Sequence, residues 1–365
     1  MMTEKQVITM PQLFCMLFIS RMVVDITYTP YLAGGGEVWD HVLSAAISWI
    51  LTFIMVLPVY FLYRRQPSMT LADQAYFLMG KAGYAVTAVY ALYFLIMSCY
   101  TLSLFEVFVT NAMSPQISLP MLTLAILATS CYGAFKGIEA LARTSGFILV
   151  VLCASIIFLI CALFPQVDTV NYPPFMLNGP QQTIGGVLLM LSRTACIPAM
   201  AMLLPLAKGS AKSGIFVWNT SVHLLTGILL TLMVGALGEF LQTQLFPVYA
   251  AASVAEIGVF KRMDALYLGI WTAGLFLKTA LFLVLFSMCV RRIWGERAGR
   301  VSIGVGGVLI GLFSLLVAHN RFAAAFLFDL NFLLWCTVTT SILLPLLLLV
   351  VSGIRKKHRR SHAQT

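Results

Sequence analysis

Charge is what this sequence has least of. Lys, Arg, Asp and Glu make up 10% of its 365 residues, and only 13 of these are acids. A soluble globular domain carries about a quarter charged residues. That shortage, with a mean hydropathy of +0.94, excludes an ordinary soluble enzyme. It excludes disorder as well, because 60% of the residues are apolar and so much apolar surface does not stay solvated. The eight cysteines (Cys15, Cys99, Cys131, Cys153, Cys161, Cys196, Cys289 and Cys336) form no CxxC pair and no Cys/His cluster. Neither a metal site nor a disulfide framework is indicated, and they read as small apolar packing residues. P-loop, HExxH and GxSxG patterns are missing, so no enzyme and no cofactor is expected. Gly34 to Gly36 follow no strand pattern and read as an outside turn, not a phosphate loop.

What the chain does have is long apolar runs. Windows of about 20 apolar residues mark membrane helices. They fall here at 9–31, 42–63, 82–110, 119–135, 144–164, 183–206, 214–240, 265–290, 301–318 and 328–351. The runs are too long and too little alternating for the strands of a membrane barrel. The expected class is an all-α polytopic membrane protein of about ten transmembrane helices. One membrane domain, 9–354, lies between an N-terminus at 1–8 and a basic tail at 355–365. The first run carries Arg21 and Asp25 at its centre, which a secretory signal does not tolerate, so a retained helix is expected. Residues 165–182 hold Pro165, Pro173, Pro174 and Pro180 and are expected to be irregular. Residues 241–264 are expected to hold a short surface helix from Ala250 to Phe260.

The net charge of +10 has a place in the membrane. Seventeen of the 23 basic residues fall in loops on one side, among them Lys5, Arg64, Arg65, Arg291, Arg292 and the run from Arg355 to Arg360. Lys261, Arg262 and Arg321 fall on the other side, and Arg21, Arg193 and Lys278 lie inside runs. Basic loops stay cytoplasmic, so both termini are expected there, with the tail on the anionic leaflet of the lipid bilayer. No aromatic residues interleave the basic tail, so nucleic acid is not an expected partner.

Ten spans divide into repeats at about 9–164 and 183–351. They start on opposite sides, which is the condition for an inverted repeat. The first span then corresponds to the sixth, and both are interrupted. The first contains Arg21, Asp25, Thr27, Thr29 and Pro30; the sixth contains Gly185-Gly186, Ser192-Arg193-Thr194, Pro198 and Pro205. Pro198 is expected to free the carbonyl of Thr194. Irregular backbone at membrane depth survives only where it lines a cavity or is buried in protein. Paired interruptions therefore point to a midplane binding site. Its candidate ligand contacts are Arg21, Met22, Asp25, Ser192, Arg193, Thr194 and Cys196, with Tyr93 and Tyr100 from one stripe of the third span.

Each charge at a span centre costs at least about 2.5–3.5 kcal/mol unless paired. Arg21 and Asp25 are one helical turn apart, which suits either a self-satisfied pair or a pair lining the cavity. Arg193 has no sequence-local acid. Asp25 or a ligand carboxylate is its expected partner, since a guanidinium binds both carboxylate oxygens. Lys278 is either paired with a buried acid or stands as an ammonium where a transporter would bind sodium. Glu106, Glu239 and Asp329 lie near span ends and are expected to be interfacial or paired. His223 reads as a hydrogen-bonded core histidine. Glu139 and Arg143, four apart before the fifth span, suit a helix-start pair or, alternatively, a gate latch.

Three stretches then carry a resemblance. They are Lys136-Gly-Ile-Glu139-Ala-Leu-Ala-Arg143, with a G-x-E-x-x-x-R pattern; Phe246-Pro247 through Phe260-Lys-Arg262-Met-Asp264, with Trp271 and Lys278 after it; and Pro205-Leu-Ala-Lys208. With them the chain resembles the spore germination permeases, the B subunits of spore germinant receptors, in the amino acid–polyamine–organocation transporter superfamily. The resemblance implies a LeuT-like 5+5 inverted repeat with helices 1 and 6 broken. It implies a small amino acid-like germinant, sensed in the spore inner membrane beside an A subunit and a lipoprotein C subunit. The family tends to have a glycine-containing break in span 1 and small residues in span 6, where this chain has Ser20-Arg21 and Arg193. Two rival readings are a proton-coupled amino acid transporter, with Lys278 or Asp25 titrating, and a scaffold with a vestigial pocket.

Overall fold

The computed structural model describes residues 7–25, 38–113, 118–172, 179–257, 260–261 and 264–361. The chain begins with a two-residue strand β1 (Ile8–Thr9) and helix α1 (Met10–Asp25), followed by α2 (Val38–Arg65). A short α3 (Leu71–Met79) leads into α4 (Gly83–Phe108), then α5 (Leu119–Lys136) and α6 (Ile138–Leu163). Helices α7 (Pro180–Ser192) and α8 (Cys196–Leu203) share one crossing, before strand β2 (Ala207–Lys208) and α9 (Ala211–Leu237). Helix α10 (Pro247–Val254) and strands β3 (Glu256–Ile257) and β4 (Phe260–Lys261) precede α11 (Asp264–Trp294) and α12 (Glu296–His319). Helices α13 (Arg321–Leu327), α14 (Leu330–Val338) and α15 (Leu344–Ser361) end the described chain, with a π-turn at Thr339–Leu343 between the last two.

Lipid offers no hydrogen bonds, so long apolar segments must bond their own backbone, and helices do this. Among the described residues, nine helical stretches are long and apolar enough to cross a membrane. Helix α1 adds a tenth apolar segment of 16 residues. The rest of its expected span, with Thr27, Thr29 and Pro30, lies outside the described residues, as do Gly34 to Gly36. The helix surfaces are inverted relative to a soluble protein. Helix α12 exposes Val301, Val305, Val308 and Leu312 while burying Ser302, Gly306, Gly307 and Ser314. Without a hydrophobic drive between helices, small residues that allow close backbone approach belong on the inside.

Helix α11 is the centre of the bundle and packs along α4, α12, α5, α6 and α1. The indole Nε1–H of Trp271 donates to the Val23 carbonyl at 3.2 Å. Its ring rests on Phe105 and Phe108, at centroid distances of 4.8 and 4.6 Å. One turn on, a Cβ at Gly274 would strike the side chain of Val23. Together, Trp271 and Gly274 hold α1 flat against α11.

Outside the spans the structure departs from the sequence reading in several places. Strand β1 pairs in parallel with β2, with Ile8 opposite Ala207, and Val7 N–H donates to Leu206 O at 3.0 Å. This clasp joins the start of α1 to the end of the α7–α8 crossing. The expected helix at Ala250 to Phe260 is shifted to Pro247–Val254 and is not a surface helix, since Pro247, Val248 and Ala250 to Ala252 are buried. Proline at its first position starts it early, because a first-turn N–H is unbonded in any case. The 165–182 segment opens with 3-10 turns at Phe164–Gln166 and Thr169–Asn171; Pro173 and Pro174, like Arg262 and Met263, lie outside the described residues. Helix α15 runs on to Ser361 through Arg and Lys, which are good helix formers. Helix α3 was not anticipated. It buries Leu71, Ala72, Ala75 and Leu78, a stripe too short and too one-sided to stand out as an apolar run.

Candidate functional site

The α7–α8 crossing breaks where the polar triplet stands. Helix α7 ends at Ser192, and α8 starts at Cys196. Thr194 causes much of this locally. Both its N–H and its hydroxyl bond the Leu191 carbonyl, at 3.1 and 2.6 Å, a side-chain alternative to the helical ladder. Two expectations are corrected here. The Thr194 carbonyl is not free but accepts from Ile197 N–H at 3.0 Å. Pro198 falls in the first turn of α8, where its missing N–H interrupts nothing. Gly185 and Gly186 lie inside α7 without breaking it.

A helix end leaves carbonyls unbonded, and neighbouring helices take those of α7. Arg21 Nη2 donates to Met190 O at 2.7 Å, and Thr337 Oγ1 to Ser192 O at 2.9 Å. Across the break, the Cys196 thiol donates to Leu17 O at 3.3 Å. Helices α1 and α14 therefore hold the broken segment from two sides.

Charge gathers at this point. Helix α1 is continuous through Ser20 to Asp25 and presents a buried ion pair, Arg21 Nε to Asp25 Oδ2 at 2.8 Å. Met22 is buried beside it. Arg21 Nη1 and Arg193 Nε are buried without a hydrogen-bond partner among the described residues. The pairing of Arg193 with Asp25 is not made, because Asp25 is taken by Arg21. Lys278 is 2% exposed, with its ammonium 5.6 Å from the Phe282 ring centroid and no acid paired to it among the described residues. It lies within electrostatic reach of Cys196, Arg21, Asp25 and Arg193. Three cations thus share one neighbourhood with one carboxylate. The sequence marks His223 of α9 only as a core residue. Its Nδ1 does face Asn219 O at 2.9 Å, and it also lies within electrostatic reach of Arg21 and Asp25.

Other candidates divide. The Tyr93 hydroxyl sits 3.5 Å from Thr337 Oγ1, one residue removed from the break. Tyr100 packs on Phe328, at 5.5 Å between centroids, about two turns of α4 away from Tyr93. Ser192 Oγ turns back to Leu189 O at 2.7 Å. Glu139 and Arg143 pair with each other at the start of α6, both well exposed.

Among the acids near span ends, Glu106 departs from expectation while Asp329 and Glu239 do not. Asp329 caps α14 by accepting from Phe332 N–H at 2.8 Å, and Glu239 is exposed. Glu106 is not interfacial, and no cation pairs with it among the described residues. It is fully buried, because α4 continues past it into a π-turn at Val109–Met113. Asp40 is a further buried acid. Helix α2 starts early enough to bury it, and Thr183 Oγ1 of α7 donates to its Oδ1 at 2.8 Å.

Residues 7–322 match the spore permease family of spore germination proteins. This chain belongs to that family. It is similar to spore germination protein KB of Bacillus subtilis (strain 168), with 22% identity over 373 residues, spanning 98% of this chain and 97% of that one. Among solved structures it is similar to a Na+-coupled sialic acid symporter in a substrate-bound, outward-open state. The TM-score is 0.64 at 12% identity, over 90% of this chain and 76% of the symporter. At that identity the likeness shows the fold of this spore permease, a transporter-like bundle of membrane helices.

Proposed function

We propose that this spore permease is the membrane-embedded B-type subunit of a spore germinant receptor, and that it binds a small amino acid-like germinant at the α7–α8 break. The observation that carries this reading is Arg193, buried at the break without a partner among the described residues. An uncompensated buried cation costs several kcal/mol, and a ligand carboxylate relieves that cost through paired hydrogen bonds. Lys278 adds positive charge on the same side, and Asp25 offers an acceptor to the ligand's amino group. The ligand drives signalling by binding one arrangement of the bundle more tightly than another. In this reading the two halves form an inverted repeat, both termini are cytoplasmic, and the chain sits in the spore inner membrane with an A subunit and a lipoprotein C subunit. It converts no substrate.

The test is the germination response of spores whose receptor carries Arg193→Ala. The response to an amino acid germinant is expected to disappear while the subunit accumulates normally. An unchanged response would leave the chain as a scaffold. The fold shared with a symporter favours a second reading, proton-coupled amino acid transport. Proteoliposomes separate the two: accumulation that follows a pH gradient supports transport, and binding without accumulation supports a receptor.

A further inference from the structure

A second buried ionisable group lies away from the break. Glu106 on α4 is fully buried where α5 and α12 meet that helix. Thr123 Oγ1 of α5 and Ser314 Oγ of α12 stand 2.5 and 3.0 Å from its Oε1. Its Oε2 is buried with no partner among the described residues. Ser314 Oγ is also 3.1 Å from the Gly311 carbonyl. The titratable groups that act on the carboxyl are Cys99, on its own helix, and His319 at the exposed end of α12. From α5 it meets Thr123. Helix α11 brings Tyr267 and Trp271 against the neighbouring Phe108. Lys278 stands on Phe282, which packs on Phe94, about three turns of α4 from Glu106.

We propose that Glu106 is a proton-binding site walled by α4, α5 and α12, separate from the ligand site. The arithmetic rests on Ser314, whose hydroxyl has a single hydrogen but two acceptors in range. When the carboxyl is neutral, Oε1–H donates to Ser314 Oγ, and Ser314 donates to the Gly311 carbonyl. When the carboxyl is charged, its O–H bond has broken and the proton has passed to water. Ser314 then turns its hydrogen to Oε1, and the Gly311 carbonyl loses that bond. Thr123 donates to Oε1 in both arrangements. The charged one leaves Oε2 bare and the charge without a counter-ion, a costly condition away from water. The neutral acid is therefore the resting form, and losing the proton loosens the seam between α4 and α12. Both hydroxyls bond the carboxyl directly, which is the geometry of a proton site and not of oxygens spread around a metal ion.

Infrared spectroscopy of the purified full-length chain tests this, with Glu106→Gln and Ser314→Ala beside wild type. At neutral pH the wild type is expected to show a protonated-carboxyl stretch that shifts in heavy water. Glu106→Gln should lose it. Ser314→Ala should keep the band at a shifted frequency, because its acceptor is gone. Raising the pH should lower the melting temperature of the wild type more than that of Glu106→Gln. Identical spectra for wild type and Glu106→Gln would overturn the proposal, and so would an unmoved band in folded Ser314→Ala. Should Glu106→Gln not fold, the Ser314→Ala band decides alone. Stabilisation by sodium over choline at fixed pH, present in wild type and absent in Glu106→Gln, would also overturn it by making Glu106 a metal-ion ligand.

Discussion

The α7–α8 break and the surroundings of Glu106 are both buried and both polar, yet one is rich in cations and the other holds a lone acid. At the break, Arg21, Arg193 and Lys278 share the neighbourhood of one carboxylate, Asp25. At Glu106 a single acid is hydrogen-bonded by the hydroxyls of Thr123 and Ser314. The backbone differs too. The helices around Glu106 are continuous where they meet it, so the space between them holds side chains and a proton. At the break, residues 193–195 leave the helix, and two neighbouring helices hold the loosened ends. In the proposed reading such an interruption admits a small molecule, and the cationic excess selects its anionic group. The exposed pair Glu139–Arg143 is the reference for charge that solvent already satisfies.

The largest effect expected from breaking this comparison is at Arg21. Arg21→Ala strands the buried Asp25 carboxylate, and breaking such a pair costs about 3–5 kcal/mol. Thermal unfolding in detergent should show the loss, and Arg21→Met with Asp25→Leu should lose less than the two single changes summed. A loss below about 1 kcal/mol for Arg21→Ala would mean that water reaches the pair. Next comes the wall of the site. Gly274→Ala forces a methyl group into Val23, an overpacking expected to cost about 1–3 kcal/mol. Full stability in that variant would show that α1 slides freely on α11. Trp271→Phe removes the bond to the Val23 carbonyl and should cost about 0.5–1.5 kcal/mol beyond the lost packing. The smallest effect belongs to the reference pair. Glu139→Gln or Arg143→Gln should change stability by no more than about 0.5 kcal/mol, and a larger loss would give that pair a role outside its own turn.

The parts legible in the sequence were those written locally. Apolar runs announce helices, and Ser192-Arg193-Thr194 announces the break because three polar residues are conspicuous at membrane depth. Other outcomes depend on a boundary a few residues away. Whether Pro198 breaks a helix or begins one depends on where α8 restarts. Whether Glu106 reaches water depends on α4 continuing into a π-turn, and Asp40 is buried only because α2 starts at Val38. Tertiary neighbours left no trace in the sequence at all. Nothing along the chain says that His223 lies within electrostatic reach of the Arg21–Asp25 pair, or that Thr337 of α14 bonds the last carbonyl of α7.

Arg193 is where the account is most exposed to a single measurement. The melting temperature of the purified chain should be followed against amino acids and against the matching amines that lack the carboxylate, for wild type and Arg193→Ala. A bound ligand raises the melting temperature as its concentration passes the dissociation constant. The expected result is a rise with a carboxylate ligand in wild type, none with the amine, and none with either in a folded Arg193→Ala of equal or higher basal stability. Equal rises in wild type and Arg193→Ala would contradict the assignment of the break as the binding site.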